Sequence, residues 1–245
     1  VVPEAQGGLG FGSAAYSRVL QQIATHDGSV ALTVGAHSSI GMRGLLLFGT
    51  EAQKATWLPR LASGELIAAF CLTEPGAGSD AASVKTSARR EGGGWVLNGE
   101  KLWITNGGIA GFYTVFAKTP ASGEGKAQMT AFIVPRDLPG VSTGPHEDKM
   151  GIRASNTCTV RFEEVRLGDE HVLGEVGKGF KAAMRILNAG RSGLGGGCVG
   201  GMKRLLALAT VQAKERRQFG RPIASFGLVK QKLGEMVVNA YAAEA

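Results

Sequence analysis

Phe70-Cys71-Leu72-Thr73-Glu74-Pro75-Gly76-Ala77-Gly78-Ser79-Asp80 is an apolar, strand-like run that stops at a turn built to expose backbone. Pro75 fixes one backbone angle. Gly76 and Gly78 let peptide N–H groups approach an anion, and Thr73 and Ser79 add hydroxyl donors. Such a loop can cradle a phosphate, although the same residues also make an ordinary tight β turn. Gly76-x-Gly78-x-x-Ala81 imitates a dinucleotide fingerprint, but no parallel βαβ pattern surrounds it, and that reading is rejected.

From Leu66 to Leu167 the surroundings are short runs rich in Val, Thr, Phe, Tyr and Trp, broken by Gly, Asn, Pro and Asp. They predict strands at Ile67 to Leu72, Val84 to Arg89, Trp95 to Leu97, Lys101 to Thr105, Phe112 to Lys118, Met129 to Val134 and Cys158 to Phe162. Loops too short for crossover helices imply antiparallel connections. Ala121 to Gly125 reads as an exposed hairpin tip.

Helical periodicity flanks this β zone on both sides. Ser13 to Asp27 carries the stripe Tyr16, Val19, Leu20 and Ile23 and stops at Gly28. Ser29 to Gly49 is read as a buried helix, although Val30, Leu32 and Val34 also alternate like a strand. Thr50-Glu51-Ala52-Gln53 is a capping box whose helix Pro59 should end or bend. Phe180 to Glu215 is a long helix, and a last one from Phe226 carries Leu233, Met236, Val237, Ala240 and Tyr241. The expected organisation is a helical domain over 1–66, a β domain over 67–170 and a helical domain over 171–245. The last helical pattern meets Ala245 without a terminator, so the protein is expected to continue.

Composition narrows the function. The 38 glycines in 245 residues are about twice the average share, yet they show no three-residue period, and 44% apolar content excludes a disordered chain. A net charge of +7 without a basic block favours anionic ligands over nucleic acid. Cys71, Cys158 and Cys198 are odd in number and far apart, which fits a reducing compartment and neither a disulfide framework nor a zinc site. Leu102 to Ala117, the longest uncharged run, is too short and too broken to cross a bilayer.

Lys101-Leu102-Trp103-Ile104-Thr105-Asn106-Gly107-Gly108 places an aromatic and a hydroxyl on one strand face, able to stack and bond a planar ring; a strand Trp is also commonly core. Gly195-Gly196-Gly197-Cys198-Val199-Gly200 lies within a helical period, where a close helix contact or passage beside a ligand explains the glycines. Lys214 to Pro222 closes that helix with cations, either dipole-favourable charges or a phosphate clamp. His26, His37, His146 and His171 have no metal-ligand spacing and read as solvated or core residues; no metal site is expected. Ser192 fails the hydrolase nucleophile pattern. Glu235 and Glu244 read as solvated carboxylates.

Together, Cys71 to Ser83, Trp103 to Gly108, Met150-Gly151-Ile152-Arg153-Ala154-Ser155-Asn156-Thr157 and Arg216-Arg217-Gln218-Phe219-Gly220 resemble the acyl-CoA dehydrogenases in motif and in order. Leu45 to Thr50, Ala68 to Thr73 and Ala224 to Leu228 look most like the very-long-chain branch. The resemblance implies an α+β multidomain fold: a helical N-terminal domain, a middle antiparallel β-barrel domain and a helical C-terminal domain, incomplete here.

It also implies FAD as cofactor, with Phe70, Leu72, Thr73, Gly78, Ser79, Trp103, Ile104 and Thr105 around it. In this reading Leu72 and Thr73 meet the isoalloxazine edge, and Gly78 and Ser79 serve the pyrophosphate. Trp103 packs on the flavin, and Thr105 bonds its reactive centre. Arg216 and Phe219 would reach FAD across a dimer interface. Ser79, Ser155, Asn188 and Arg191 would touch the acyl-CoA, and Gly35, Gly41 and Gly44 would leave room for a long acyl tail.

The implied reaction is α,β-dehydrogenation of an acyl-CoA to a trans-2-enoyl-CoA, a glutamate taking the α-proton while hydride leaves the β-carbon for the flavin. An electron-transferring flavoprotein would accept the electrons, in a bacterial cytoplasm or mitochondrion. No catalytic base is visible. Gly190 occupies the position where a minority of the family carries the glutamate, and the usual base is expected beyond Ala245, which would leave this chain inactive alone. The alternatives that the resemblance leaves open are a respiratory-complex assembly protein and an oxidase on the same fold.

Overall fold

The computed structural model describes residues 1–120 and 127–245. The hairpin tip expected at Ala121 to Gly125 lies outside the described residues. Helix α1 (Ser13–Ala24) is followed by α2 (Gly28–Gly35), whose first turn is capped by the Asp27 carboxylate, accepting from the Ser29 and Val30 amides at 2.7 and 3.0 Å. The chain continues through a π-helical stretch, Ala36–Gly41, into α3 (Arg43–Phe48), so the alternation of Val30, Leu32 and Val34 belongs to a helix. Gly28–Phe48 is apolar and long enough to span a membrane by length and composition, with mean hydropathy 1.2, and it buries Met42 and Leu45 in the core.

Helix α4 (Glu51–Ala62) opens with the expected box, Thr50 and Gln53 exchanging side-chain and backbone bonds. Pro59 does not end it. The Ser63 amide still reaches the Pro59 carbonyl at 3.0 Å, because proline forfeits its own N–H but keeps its acceptor.

The β zone comprises β1 (Ala68–Cys71), β2 (Ser87–Glu91), β3 (Gly94–Thr105), β4 (Phe112–Thr119), β5 (Gln128–Pro135), β6 (Val141–Thr143), β7 (Thr157–Leu167) and β8 (Val172–Leu173). They form one sheet in the order β6-β7-β3-β2-β4-β5-β8, with β1 paired to β4. Three expectations are corrected here. The β1–β4 pair is parallel, Ala68 opposite Phe112 through Cys71 opposite Val115, because the intervening β2–β3 hairpin supplies the crossover length that a helix would otherwise give. The separate strands at Trp95 and Lys101 are one, continued through register shifts at Leu97/Gly99 and Lys101/Ile104. Strand β2 begins at Ser87 and not Val84, since the Lys85 and Thr86 amides bond the Glu74 carboxylate.

After the sheet run α5 (Gly179–Glu215), the hairpin β9 (Arg217–Gln218) and β10 (Arg221–Pro222), and α6 (Gly227–Glu244). One core cluster joins the helices to the sheet through Leu45, Leu58, Leu61, Phe112, Phe116 and Ile186; the other lies within the β zone around Leu97, Tyr113, Phe132 and Phe162. Helix α5 meets α1 along glycines: a Cβ at Gly196 would stand 2.4 Å from the Ser17 carbonyl oxygen, and one at Gly200 2.2 Å from that of Gln21. The α6 stripe is not a core stripe among the described residues. Ala240 is buried, whereas Val237 and Tyr241 are exposed.

Candidate functional site

The quoted loop leaves β1 with Leu72 buried and turns tightly over Pro75-Gly76, the Glu74 and Ala77 backbones exchanging hydrogen bonds at 3.0 and 3.1 Å. A Cβ at Gly76 or Gly78 would meet nothing within 4 Å, so both glycines border open space. Among the described residues the hydroxyls of Thr73 and Ser79 have no hydrogen-bond partner. Beneath the loop Glu74 points inward. Its carboxylate accepts from the Lys85 amide at 2.5 Å, the Thr86 amide at 3.0 Å and Lys101 Nζ at 2.7 Å, and Lys101 Nζ also donates to the Leu72 carbonyl at 3.1 Å.

Burial pushes the Glu74 carboxyl up, but the bonds from Lys101, Thr86 and Lys85 and the Lys101 charge outweigh it and hold the group below its usual range. Burial pulls the Lys101 ammonium below its usual range against the opposing effect of Glu74. Residue type alone marks neither as functional, but the strand pattern marks Lys101: it has the parity of Leu97, an inward position where a charge needs a partner.

The register shift after Lys101 turns Trp103 into the left-handed region, φ 56°, which is costly for a bulky residue. Trp103 is 63% exposed, which settles the choice against a core tryptophan, while Ile104 beside it is buried in the β core. The Ile104 side chain is therefore core, and any contact with a ligand there would be through its backbone. Phe70 packs its ring on Phe116 at 5.0 Å, partly buried in the core. The Leu102 amide donates to the Thr73 carbonyl at 2.9 Å, joining loop and strand in one surface. Asn106, also at positive φ (65°), is wholly buried; its Nδ2 donates to the Thr33 carbonyl at 3.0 Å and its amide to that of Asn156 at 2.8 Å, which ties α2 to the β zone.

Thr105 continues that surface into an apolar cavity of about 420 Å³ between α1, α2 and α5. Leu20, Ala31, Leu32, Ile40, Leu187 and Leu194 supply its walls, Arg191 and Thr105 are among its few polar groups, and among the described residues no carboxylate lines it. Ile152, held at φ 53°, also lines it. Gly35 lines the cavity and its Cβ would make ordinary contact with Leu20 at 3.7 Å.

Gly41 and Gly44 are corrected. They do not line the cavity, and they are glycine because a Cβ would collide with Ala68 at 2.8 Å or press on Ile186 and Leu173 at 3.0 Å. Gly190 borders the cavity with its Cβ position 2.6 Å from Ile40, too close for a longer side chain unless Ile40 moves.

Arg191 bonds Asn188 on the exposed side of α5. Ser155 departs from the expected ligand contact: it is wholly buried and its hydroxyl has no partner, while its carbonyl accepts from His146 at 3.0 Å and Lys149 at 2.5 Å. Arg216 and Phe219 belong to a separate hairpin. Phe219 is 92% exposed at φ 51° and touches Phe226. His37 is a core residue: its Nδ1 accepts from the Ala68 amide at 2.9 Å and its Nε2 lies 3.0 Å from the Leu61 carbonyl oxygen. Cys71 and Cys158 are buried and Cys198 is exposed, all as free thiols.

Comparison with known proteins agrees with this arrangement. Models of the acyl-CoA dehydrogenase N-terminal, middle and C-terminal domains match residues 1–65, 69–165 and 177–245. The human mitochondrial very long-chain specific acyl-CoA dehydrogenase is 52% identical over 100% of this chain, which spans 38% of that protein. An acyl-CoA dehydrogenase from Bacillus anthracis, solved in complex with FAD, superposes with a TM-score of 0.93 at 46% identity, over 99% of this chain and 41% of its own. Butyryl-CoA dehydrogenase from Megasphaera elsdenii gives 0.93 at 40% identity, over 98% of this chain and 63% of its own. The chain belongs to the acyl-CoA dehydrogenase family.

Proposed function

We propose that the protein containing this chain is an FAD-dependent dehydrogenase of fatty acyl-CoA thioesters with long acyl chains. The observation that carries the reading is the continuity at Thr105: one residue ends the strand that displays Trp103 and also lines the apolar cavity. A planar ring on the strand surface and an apolar chain between the helices would meet there. The residues fit FAD, with open space over Gly76 and Gly78, unbonded hydroxyls at Thr73 and Ser79, and an exposed indole. Leu72, Thr73, Gly78, Ser79, Trp103 and Thr105 would hold it, with Arg216 and Phe219 serving a partner copy in a homodimer from their protruding hairpin. When bound, FAD supplies a two-electron acceptor.

The chain's own residues orient and dry the substrate. The cavity walls remove the acyl tail from water, at about 0.8 kcal/mol per buried methylene, and Arg191 offers a cation at the cavity to the anionic CoA portion. Gly190 carries no carboxylate and the lining has none among the described residues, so the base that takes the α-proton is not one of these cavity-lining side chains. Residues 1–245 alone should therefore not turn over. An electron-transferring flavoprotein would be the acceptor, in a bacterial cytoplasm or mitochondrion. Anaerobic addition of a long-chain acyl-CoA should bleach the flavin band of the full-length protein; a colourless full-length protein refutes the cofactor, and brisk turnover by residues 1–245 refutes the assignment of the base.

A further inference from the structure

We propose that the buried Glu74–Lys101 pair is the positioning element of the ligand face, setting the spacing between the Thr73–Ser79 loop and the strand end that carries Trp103 and Thr105. The proposal rests on the cofactor reading above. The loop leaves β1 and Trp103 lies on β3, and no ladder joins these strands: β1 pairs with β4, while β3 pairs with β2 and β7. Three bonds join them instead, all from two consecutive residues of β3: Lys101 to the Leu72 carbonyl at 3.1 Å, Lys101 to Glu74 at 2.7 Å and the Leu102 amide to the Thr73 carbonyl at 2.9 Å. They sit at the start of the register shift that turns Trp103 outward. Glu74 is anchored from behind by the Lys85 and Thr86 amides, so it fixes the entry to β2 as well.

Stability does not explain the pair. A buried ion pair is commonly matched or bettered by apolar residues of similar volume, whereas directional bonds to Leu72 and Glu74 cannot be made by an apolar side chain. Lys101 is wholly buried and Glu74 nearly so, which makes them positioning residues and not ligand contacts.

The test uses Glu74→Gln, Lys101→Met, the double variant and Glu74→Asp in the full chain. Each single neutralisation strands a buried charge and should lower the melting temperature; the double variant should recover most of it. If the pair positions the loop, recovery of stability does not restore the face. In the double apoprotein the amides of Lys85, Thr86 and Leu102 should exchange about tenfold faster or more than in wild type. FAD affinity, read by flavin fluorescence, should fall about tenfold or more, comparable to the loss when groups that orient metal ligands are removed. A double variant with wild-type exchange and wild-type FAD affinity overturns the proposal. Glu74→Asp keeps the charge and shortens its reach; it covers the case of a double variant that does not fold, and unchanged FAD affinity in it overturns the proposal too. Wild-type protein that takes up no FAD refutes the cofactor reading, and the exchange arm then decides the positioning role alone.

Discussion

Gly195 and Gly196 are neighbours on α5 with opposite surroundings, and the same substitution should act on them with opposite sign. A Cβ at Gly195 meets nothing within 4 Å; one at Gly196 would stand 2.4 Å from the Ser17 carbonyl oxygen and 3.0 Å from Ser17 Cα. Ordinary contact begins at 3.4 Å, so Gly196→Ala requires a shift of 3.4 minus 2.4, or 1.0 Å, against backbone that cannot rotate away. Alanine gains about 1 kcal/mol over glycine in a helix interior at either site. At 196 that gain is set against about 1–3 kcal/mol for overpacking, leaving a net loss of up to about 2 kcal/mol. The two variants should differ by about 1–3 kcal/mol, and at about 2–4 °C per kcal/mol for a chain of this size the split is readable by calorimetry. Melting temperatures that move in the same direction by the same amount would refute the claim that α1 seats on Gly196.

Other substitutions test the site. Trp103→Gly removes a residue held at φ 56°, relieving about 1–3 kcal/mol of backbone strain, so the apoprotein should melt no lower while FAD affinity falls; a sharply lowered melting temperature would show that the indole serves packing. Gly35→Leu projects into the cavity from a position with ordinary clearance, and should raise KM for the longest acyl-CoA substrates more than for short ones; a uniform rise would place the tail elsewhere. Burial holds His37 below its usual value of 6.5, despite the opposing bond to Leu61. The unfolded chain therefore takes up this proton first, and stability falls as pH drops from about 6.5 toward the lower folded value, by at most about 1.36 kcal/mol per pH unit for one group. His37→Gln should flatten denaturation midpoints over that window, and an unchanged slope would assign the pH dependence to other groups.

Helices and strands were legible where pattern alone specifies them. The 3.6-residue stripes, the Thr50 capping box and the β-branched and aromatic runs from Phe112 and Met129 gave elements close to those observed. Interactions between distant residues were not legible. The parallel β1–β4 pair depends on a hairpin acting as a crossover, and β2 starts late because a carboxylate thirteen positions before it takes two of its approach amides. For the site, the loop and Trp103 could be named from residue type, but Ser155, Gly41 and Gly44 could not be sorted into ligand contact or packing. For the glycines that choice turns on whether a neighbour lies 2.8 or 3.7 Å from a Cβ, and for Ser155 on its complete burial, both set by tertiary approach.

Of the five non-glycine residues in the left-handed region among the described residues, Glu164 and Phe219 lie elsewhere and three gather in one region. Trp103, Asn106 and Ile152 are non-glycine residues in the left-handed region; Trp103 stands on the strand surface, Asn106 ties that strand's end to α2, and Ile152 lines the cavity that Thr105 enters. Each costs backbone energy that surrounding bonds must over-determine, and those bonds are present: Lys101 and Leu102 to the loop before Trp103, Thr33 and Asn156 around Asn106, and the Ser155 amide on the Ile152 carbonyl at 3.1 Å. Strain maintained at these three points by separate bonds, bordering one aromatic surface and one apolar cavity, is what a preorganised ligand site requires.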